Sequence, residues 1–145
     1  MSKPPLPADA VDLLRQANPA VVTTLRPDGQ PVSTATWYLW EDDGRVLLNM
    51  DENRKRLAHI RNDPRVTLTV LADGDWYTHV SLIGRITEIT GDTGLAGIDR
   101  LATHYTGNPY PDRVRPRVNA WMTVDIWHGW GRMRDSDQPQ AVVTK

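Results

Sequence analysis

A run of three cations, Arg54, Lys55 and Arg56, follows Asn53 where a strand pattern gives way to a helical one. Positive side chains in a first helical turn oppose the helix dipole, each costing roughly 0.3 to 1 kcal/mol, and they repel one another. A bound phosphate removes the conflict, because it accepts bonds from free backbone N–H groups and from the cations together. The run is therefore a candidate phosphate site. An ordinary solvated face, continued by Arg61 and Arg65, is the alternative interpretation.

Two neighbouring segments favour the ligand interpretation. The segment Leu48–Met50 leads directly into the cations and supplies the amide of Asn49. The preceding strand pattern adds hydroxyl groups at Ser33, Thr34 and Thr36. Hydroxyl, amide and backbone groups beside a cluster of cations form the kind of wall that a planar ring with polar edges requires.

Other chemistry is poorly supported by the composition. The chain of 145 residues has 17 Lys and Arg against 18 Asp and Glu, so no global positive field predicts binding to nucleic acid or to a membrane surface. It has no cysteine, and its four histidines form no Ser-His-Asp, metal or paired-carboxylate motif. No stretch approaches the roughly 20 apolar residues of a membrane span. We expect a cytoplasmic protein without a metal, and the catalytic residues stay unassigned.

The elements that must position the cluster are mostly strands. Valine, threonine and aromatic patterns predict strands over residues 20–25, 31–40, 45–50, 66–72, 77–89 and 119–127, joined by turns rich in Asp and Gly. The long fifth strand is expected to bend near Gly84. Helical spacing predicts short helices over residues 9–17 and 53–62 and from about residue 95, with Asp51 or Asn53 capping the second.

Six strands with short connections predict a mainly β protein built on an antiparallel barrel, since closure removes exposed strand edges. We expect one domain over residues 1–134. The polar segment 135–145 is expected to be a disordered tail.

Three segments carry a resemblance to a known family. They are Val21–Leu25 with Asp28–Pro31, then Asn53–Val66, and then Ser81–Ile86. In this order and spacing the chain resembles the pyridoxamine 5'-phosphate oxidase-like split-barrel superfamily, and within it the actinobacterial flavin/deazaflavin oxidoreductases. The resemblance covers nearly the whole chain. Arg56 stands where many relatives have lysine, which is a departure from the pattern.

The resemblance implies a homodimer with two cofactors in clefts between the subunits. It implies coenzyme F420 or FMN as the cofactor, and we favour F420 because its anionic glutamate tail suits the additional arginines. The candidate cofactor-binding residues lie along the second strand, at the end of the third, in the basic run, on the strand that borders the partner's cofactor (His79) and in the expected pocket wall (Trp76 and Trp130): Val32, Ser33, Thr34, Ala35, Thr36, Asn49, Met50, Asn53, Arg54, Lys55, Arg56, Trp76, His79 and Trp130. No role is predicted for Arg113, Arg115 or Arg117.

The expected function is hydride transfer from the reduced cofactor to a small conjugated or aromatic acceptor. A non-catalytic protein that binds flavin, F420 or a hydrophobic ligand is the alternative, because no strong general acid or base stands out. Oxidation of pyridoxamine phosphate itself is a weaker alternative, since the chain is short and lacks that enzyme's C-terminal substrate-binding motif.

Overall fold

The computed structural model describes residues 1–133, and the predicted tail 135–145 lies outside them. Seven strands and three helices form in the order α1 (Ala8–Leu14), β1 (Ala20–Leu25), β2 (Pro31–Thr36), β3 (Leu39–Trp40), β4 (Val46–Asp51), α2 (Lys55–Asn62), β5 (Arg65–Ala72), β6 (Asp75–Gly91), α3 (Ala96–Thr106) and β7 (Arg117–Trp130). Two 3₁₀ turns, Thr93–Leu95 and Gly131–Met133, precede α3 and follow β7. No helix in this part of the chain has the length and hydropathy needed to cross a membrane.

The strands form one antiparallel sheet in the order β2-β1-β5-β6-β7-β4-β3. The two outermost strands, β2 and β3, are separated along the chain only by Trp37 and Tyr38. The sheet must therefore curl until its two ends approach each other, although no hydrogen-bonded ladder joins them. This open, curled sheet is a split barrel.

Two features of the sequence prediction are wrong. The sheet has seven strands rather than six, and it is not closed. The predicted strand 31–40 is interrupted because the side chain of Tyr38 turns into the core, where it is 0% exposed and donates a hydrogen bond of 2.8 Å to the carbonyl oxygen of Leu14. A single buried aromatic side chain thus ends one edge strand and starts the other.

The core lies inside the curl of the sheet. Strands β1, β5 and β7 alternate between buried and partly exposed positions, as strands with one covered face do. Strand β4 differs, since all six of its residues are buried. Its outward-facing Leu47 packs against Ile98 and Leu101 of α3, which covers this strand from outside.

Strand β6 bends at the predicted position. Its register against β7 shifts between Ile83 and Gly84. A Cβ atom at Gly84 would lie 1.9 Å from the carbonyl oxygen of Thr123, so only glycine lets the two backbones approach this closely.

Element boundaries differ from the sequence prediction by a few residues. Helix α1 ends at Leu14 rather than residue 17, and the amide of Asn18 donates to the carbonyl oxygen of Leu13. Helix α2 begins at Lys55 with Arg54 as its N-cap residue, and neither Asp51 nor Asn53 caps it. The carboxylate of Asp51 instead accepts the backbone N–H of Asn53 at 3.0 Å. The last strand is longer than predicted, running from Arg117 to Trp130.

Candidate functional site: a basic and aromatic groove

Two adjoining cavities open along β2. The first, of about 820 Å³ and here called the basic cavity, is lined by Thr24, Arg26, Pro27, Val32, Thr34, Ala35, Arg54, Lys55, Arg56 and His59. The second, of about 600 Å³ and here called the aromatic cavity, is lined by Ala17, Pro19, Ala20, Ala35, Thr36, Trp37, Asn49, Arg56, Asp73, Ile98, Leu101, Tyr105, Tyr110 and Arg117. Ala35 and Arg56 line both, so the two cavities form one groove.

Strand β2 forms one wall of the groove because it is an edge strand. It pairs with β1 on one side, and no described strand pairs with its other side. Its backbone groups on that side are therefore available to the edge of a bound ligand. Most of its side chains are exposed, since nothing within residues 1–133 covers them.

The start of α2 forms the basic end of the groove. No side chain caps this helix, and the backbone N–H groups of Lys55 and Arg56 have no acceptor within residues 1–133. Arg54 and Lys55 have exposed side chains, while Arg56 is partly buried. Free helical N–H groups beside three cations form a site that favours phosphate.

Arg56 lacks partners for its charge and for one of its hydrogen-bond donors at this basic end of the groove. Its Nε atom is buried and has no hydrogen-bond partner in the described part of the chain. Burial, together with the neighbouring charges of Arg54 and Arg117, holds the pKa of Arg56 below its usual value. A partly buried cation beside other cations is unfavourable unless an anion accompanies it.

Arginines elsewhere in the molecule are mostly ion-paired. The guanidinium groups outside the groove that lie within 4 Å of a carboxylate are those of Arg15, Arg45, Arg65, Arg85, Arg100, Arg113, Arg115 and Arg132. By contrast, Arg54, Lys55, Arg56 and Arg117 have no such partner within the described residues. Of the groove's cations, Arg26 alone pairs, with Asp28 at 2.9 Å. Outside the groove, the exposed Arg61 is the one arginine of residues 1–133 that lacks such a partner, so most of the unpaired arginine charge lies in the groove.

A buried polar network holds Arg117. Its Nε donates to Oδ1 of Asn49 at 2.7 Å, while Nδ2 of Asn49 donates to Asp92 at 2.9 Å and to Asn119 at 2.7 Å. Asp92 also accepts the backbone N–H groups of Gly97 and Ile98 at the start of α3. The network links β4, β7 and α3, so it fixes the guanidinium of Arg117 relative to both walls of the aromatic cavity.

Aromatic rings line the other end of the groove. Trp37 stacks on Tyr105 and meets Tyr110 edge to face, with ring centroids 6.2 Å apart. The guanidinium carbon of Arg117 lies 4.8 Å from the ring centroid of Tyr110, in a cation–π arrangement. Burial raises the pKa of Tyr105 to about 12, and its hydroxyl donates to the carbonyl oxygen of Asn18 at 2.8 Å. This phenol therefore acts as a neutral part of the wall.

The structure brings most of the sequence-predicted site residues together. Those that line the groove are Val32, Thr34, Ala35, Thr36, Asn49, Arg54, Lys55 and Arg56. Three do not line it. Met50 is 1% exposed and belongs to the core, Asn53 is exposed, and the hydroxyl of Ser33 lies 2.7 Å from that of Thr23.

Three further candidates lie elsewhere on the sheet. Trp76 and Trp130 each meet Tyr77 edge to face, and His79 lies opposite Trp130 in the β6–β7 ladder. They line neither cavity of the single chain. His79 was assigned because its strand borders the partner's cofactor in the family that the chain resembles, and Trp76 and Trp130 were assigned as candidates for the pocket wall. These assignments stay predictions.

Sequence reasoning missed the residues that complete the aromatic cavity, namely Trp37, Tyr105, Tyr110 and Arg117. The arginines at positions 113, 115 and 117 were the sequence feature that could have indicated this part of the site. Arg113 pairs with Asp99, and Arg115 pairs with Asp51 and Asp112, which leaves Arg117 for the groove. Only the three-dimensional pairing separates it from the other two.

This fold, an open antiparallel split barrel with a cation-lined groove along its edge strand, defines a class of protein. Residues 6–131 match the family model described as pyridoxamine 5'-phosphate oxidase, and the chain belongs to this family. The family resemblance drawn from the sequence is thereby confirmed. No functionally curated protein matches the chain in sequence.

Solved structures share the fold. A structure titled F420 reductase has a TM-score of 0.76 at 23% identity, over 84% of this chain and 98% of that one. The conserved hypothetical protein Rv2991 from Mycobacterium tuberculosis has a TM-score of 0.71 at 24% identity, over 99% and 95% of the two chains. A putative pyridoxamine 5'-phosphate oxidase from Listeria innocua has a TM-score of 0.62 at 13% identity, over 83% and 94%. At these identities the likeness concerns the fold.

Proposed function

We propose that the groove binds a phosphate-bearing redox cofactor, coenzyme F420 in preference to FMN, and that the protein is an oxidoreductase acting on a small conjugated or aromatic acceptor. The observation that carries the proposal is the partly buried Arg56, whose Nε has no partner in the described chain, among further cations without carboxylates. When bound, the reduced cofactor supplies a hydride to the acceptor, and solvent supplies the accompanying proton.

The residues of the basic cavity fit a phosphate group. The backbone N–H groups of Lys55 and Arg56 can donate to its oxygens, and the side chains of Arg54, Lys55 and Arg56 surround them with positive charge. Arginine binds phosphate in a bidentate manner, so Arg56 in place of a lysine strengthens the geometric definition of the site.

The remaining groove fits a planar ring. The free edge of β2 offers backbone donors and acceptors, and Thr34 and Thr36 add hydroxyl groups along the same strand. Trp37 and Tyr110 provide aromatic surfaces at the far end, which a bound ring can cover. The protein thereby orients a ring and shields it, which are the contributions that cofactor chemistry needs from the chain.

The preference for F420 rests on the amount of uncompensated positive charge. The phosphate of FMN needs one anion-binding position, whereas Arg54, Lys55 and Arg56 give the basic cavity three cations without a carboxylate partner in the described residues. The anionic glutamate tail of F420 matches this excess better.

The proposal includes a homodimer in the cytoplasm. Trp76 is 71% exposed and Tyr77 is 54% exposed, at the start of β6. Large exposed aromatic side chains are favoured at protein interfaces, where burial stabilises them. A second subunit that covers them would also bring Trp76, His79 and Trp130 to its own groove, as the family resemblance implies.

The decisive experiment is an equilibrium titration of the wild-type protein with FMN and with F420, followed by fluorescence. In the double variant Arg54→Ala with Arg56→Ala we expect affinity to fall at least tenfold while the circular dichroism spectrum stays unchanged. The matched control is Arg61→Ala with Arg65→Ala, which removes the same charge from residues that line neither cavity. Equal affinity of the wild type and the Arg54/Arg56 variant would reject the phosphate site.

A non-catalytic binding protein is the second candidate, and one observation favours it. Among the groove's lining residues, His59 is the histidine, and its Nδ1 is engaged by the hydroxyl of Thr24 at 2.9 Å. The lining carboxylate, Asp73, is exposed, so no strongly positioned acid or base faces the cavity. Reduced cofactor should be offered quinones, nitro compounds, enones and pyridoxamine phosphate. Failure to oxidise it with any of them favours storage over catalysis.

A further inference from the structure

Arg117 has unused hydrogen-bonding capacity that points to a ligand. Its Nε is occupied by Asn49, but neither of its terminal nitrogens has an acceptor within residues 1–133. Those nitrogens are not buried without a partner, so they are open to the cavity that the residue lines. A guanidinium presents its terminal N–H groups as a planar fork that matches a carboxylate.

Asn49, which holds Arg117, has all of its polar side-chain atoms hydrogen-bonded and is therefore fixed in one orientation. Asn49 is 6% exposed, both of its amide hydrogens are directed at oxygen atoms, and its own oxygen accepts from Arg117. This leaves one orientation of the amide, because a flip would place its NH₂ group against the donating Nε. Asp92 is equally occupied by the start of α3. Such a network holds a charged group in place before any ligand arrives.

The surroundings of the fork define what carries the carboxylate. Arg117 lies over Tyr110, and Tyr110 meets Trp37, so flat aromatic surfaces adjoin the guanidinium. Ile98 and Leu101 complete the apolar lining. A ring system packed on these side chains would place a carboxylate substituent at the fork, whereas a small aliphatic anion would leave the aromatic surfaces in water.

We propose that Arg117 is a carboxylate-binding residue and that the aromatic cavity takes a conjugated or aromatic carboxylate. The proposal deepens the proposed function, since it names the class of acceptor. The glutamate tail of F420 is a second source of the same chemical group, and the experiment separates the two sources. Asn49 and Asp92 are positioning residues that act through Arg117.

The test uses 2-naphthoate and its neutral counterpart 2-naphthamide, titrated into the full-length protein and followed by tryptophan fluorescence. The wild type should bind the carboxylate at least tenfold more tightly than the amide. Arg117→Gln should abolish this preference, and Arg117→Lys should retain part of it. The control Arg85→Gln removes an arginine that pairs with Asp125 and lines neither cavity, and it should keep the full preference.

Two results would overturn the inference: equal binding of the two probes by the wild type, or a preference that survives Arg117→Gln. If the preference follows Arg117, a repeat at saturating F420 and at saturating FMN identifies the source. Displacement of 2-naphthoate by F420 but not by FMN assigns Arg117 to the glutamate tail, and retention beside F420 assigns it to the acceptor. Failure of the proposed cofactor site would appear separately, in the titrations of the Arg54/Arg56 variant.

Discussion

The indole of Trp37 lies nearly parallel to the phenol ring of Tyr105, with ring centroids 5.4 Å apart and an interplanar angle of 12°. Trp37 belongs to the two-residue link between the edge strands β2 and β3, and Tyr105 belongs to the last turn of α3. The stack therefore connects the link between β2 and β3 to α3, the helix that covers β4. The same pair forms a wall of the aromatic cavity.

Removal of this stack should affect ligand binding and stability together. Trp37→Ala is expected to weaken binding of 2-naphthamide about tenfold and to lower the free energy of unfolding by roughly 2 kcal/mol, because a large partly buried ring and its aromatic contact are lost. Trp37→Phe, which can still stack, should recover most of both. Fluorescence titration and urea denaturation provide the measurements. Unimpaired binding by Trp37→Ala would remove Trp37 from the cavity wall.

The network around Asn49 predicts a selective defect. Asn49→Leu keeps a similar volume but removes the hydrogen bonds that Asn49 makes to Asp92, Asn119 and Arg117, and Asp92 keeps the backbone N–H groups of Gly97 and Ile98. We expect a loss of roughly 2 to 3 kcal/mol in unfolding free energy and at least a fivefold loss of affinity for 2-naphthoate. A purely structural role would lower the affinities for 2-naphthoate and 2-naphthamide equally. A larger loss for the carboxylate is the signature of positioning Arg117.

Helix α3 approaches this network at a glycine. A Cβ atom at Gly97 would lie 2.0 Å from Oδ1 of Asn119, an atom already bonded to the amide of Asn49. Gly97→Ala should therefore displace Asn119 and cost roughly 1 to 3 kcal/mol, although alanine is ordinarily the better helix former. Gly107→Ala is unsuitable as a control because its φ is +83°, so Ala96→Gly, at the exposed start of the same helix, serves for comparison. A stabilised Gly97→Ala variant would contradict this packing.

Strand β6 offers a matched pair of glycines. Gly84→Ala would place a methyl group 1.9 Å from the carbonyl oxygen of Thr123, in a region where backbone rather than side chain must move. We expect a loss of roughly 3 kcal/mol, at the upper end for overpacking. Gly91→Ala, in the same strand, meets no atom within 4 Å and should change stability by less than about 0.5 kcal/mol. Urea denaturation of both variants tests the difference.

The sequence predicted the fold well where local patterns decide it. Alternating valines and threonines, turn residues and the bend at Gly84 correctly indicated a mainly antiparallel β fold, whereas the split barrel was implied by the family resemblance. The break of the second strand was missed because it depends on Tyr38 finding the carbonyl oxygen of Leu14 across the core. Nothing in residues 31–40 alone indicates that contact.

The basic half of the groove was also predictable, since Arg54, Lys55 and Arg56 break a local helix rule at consecutive positions. The aromatic half was not. Tyr110 and Arg117 reach the groove only through the covering of β4 by α3 and through the register that sets β7 beside β4. Such a site is assembled from distant segments whose individual sequences are unremarkable for a loop and a strand.

The contacts that hold the Tyr110 loop predict that ligand binding weakens at low pH. Asp99 on α3 accepts the backbone N–H of Tyr110 at 3.0 Å and pairs with Arg113 at 2.7 Å. The Arg113 guanidinium, and after it the Tyr110 N–H, hold the pKa of Asp99 below its ordinary value of about 3.9. The carboxylate of Asp99 binds a proton less readily in the native state than in the unfolded chain. The contacts of Asp99 with Tyr110 and Arg113 therefore contribute fully to stability at pH values above the ordinary pKa of Asp. This contribution is lost as the pH falls through the lowered pKa.

Binding of 2-naphthamide, which carries no titrating carboxylate, should therefore be constant from pH 7 to about pH 5 and weaken below about pH 4. Asp99→Asn should bind the amide a few-fold more weakly throughout and lose the acid-dependent part of the change. Circular dichroism at each pH separates release of the loop from unfolding of the whole chain. An identical acid response in the wild type and Asp99→Asn would show that other carboxylates govern it, and would remove Asp99 as the anchor of Tyr110.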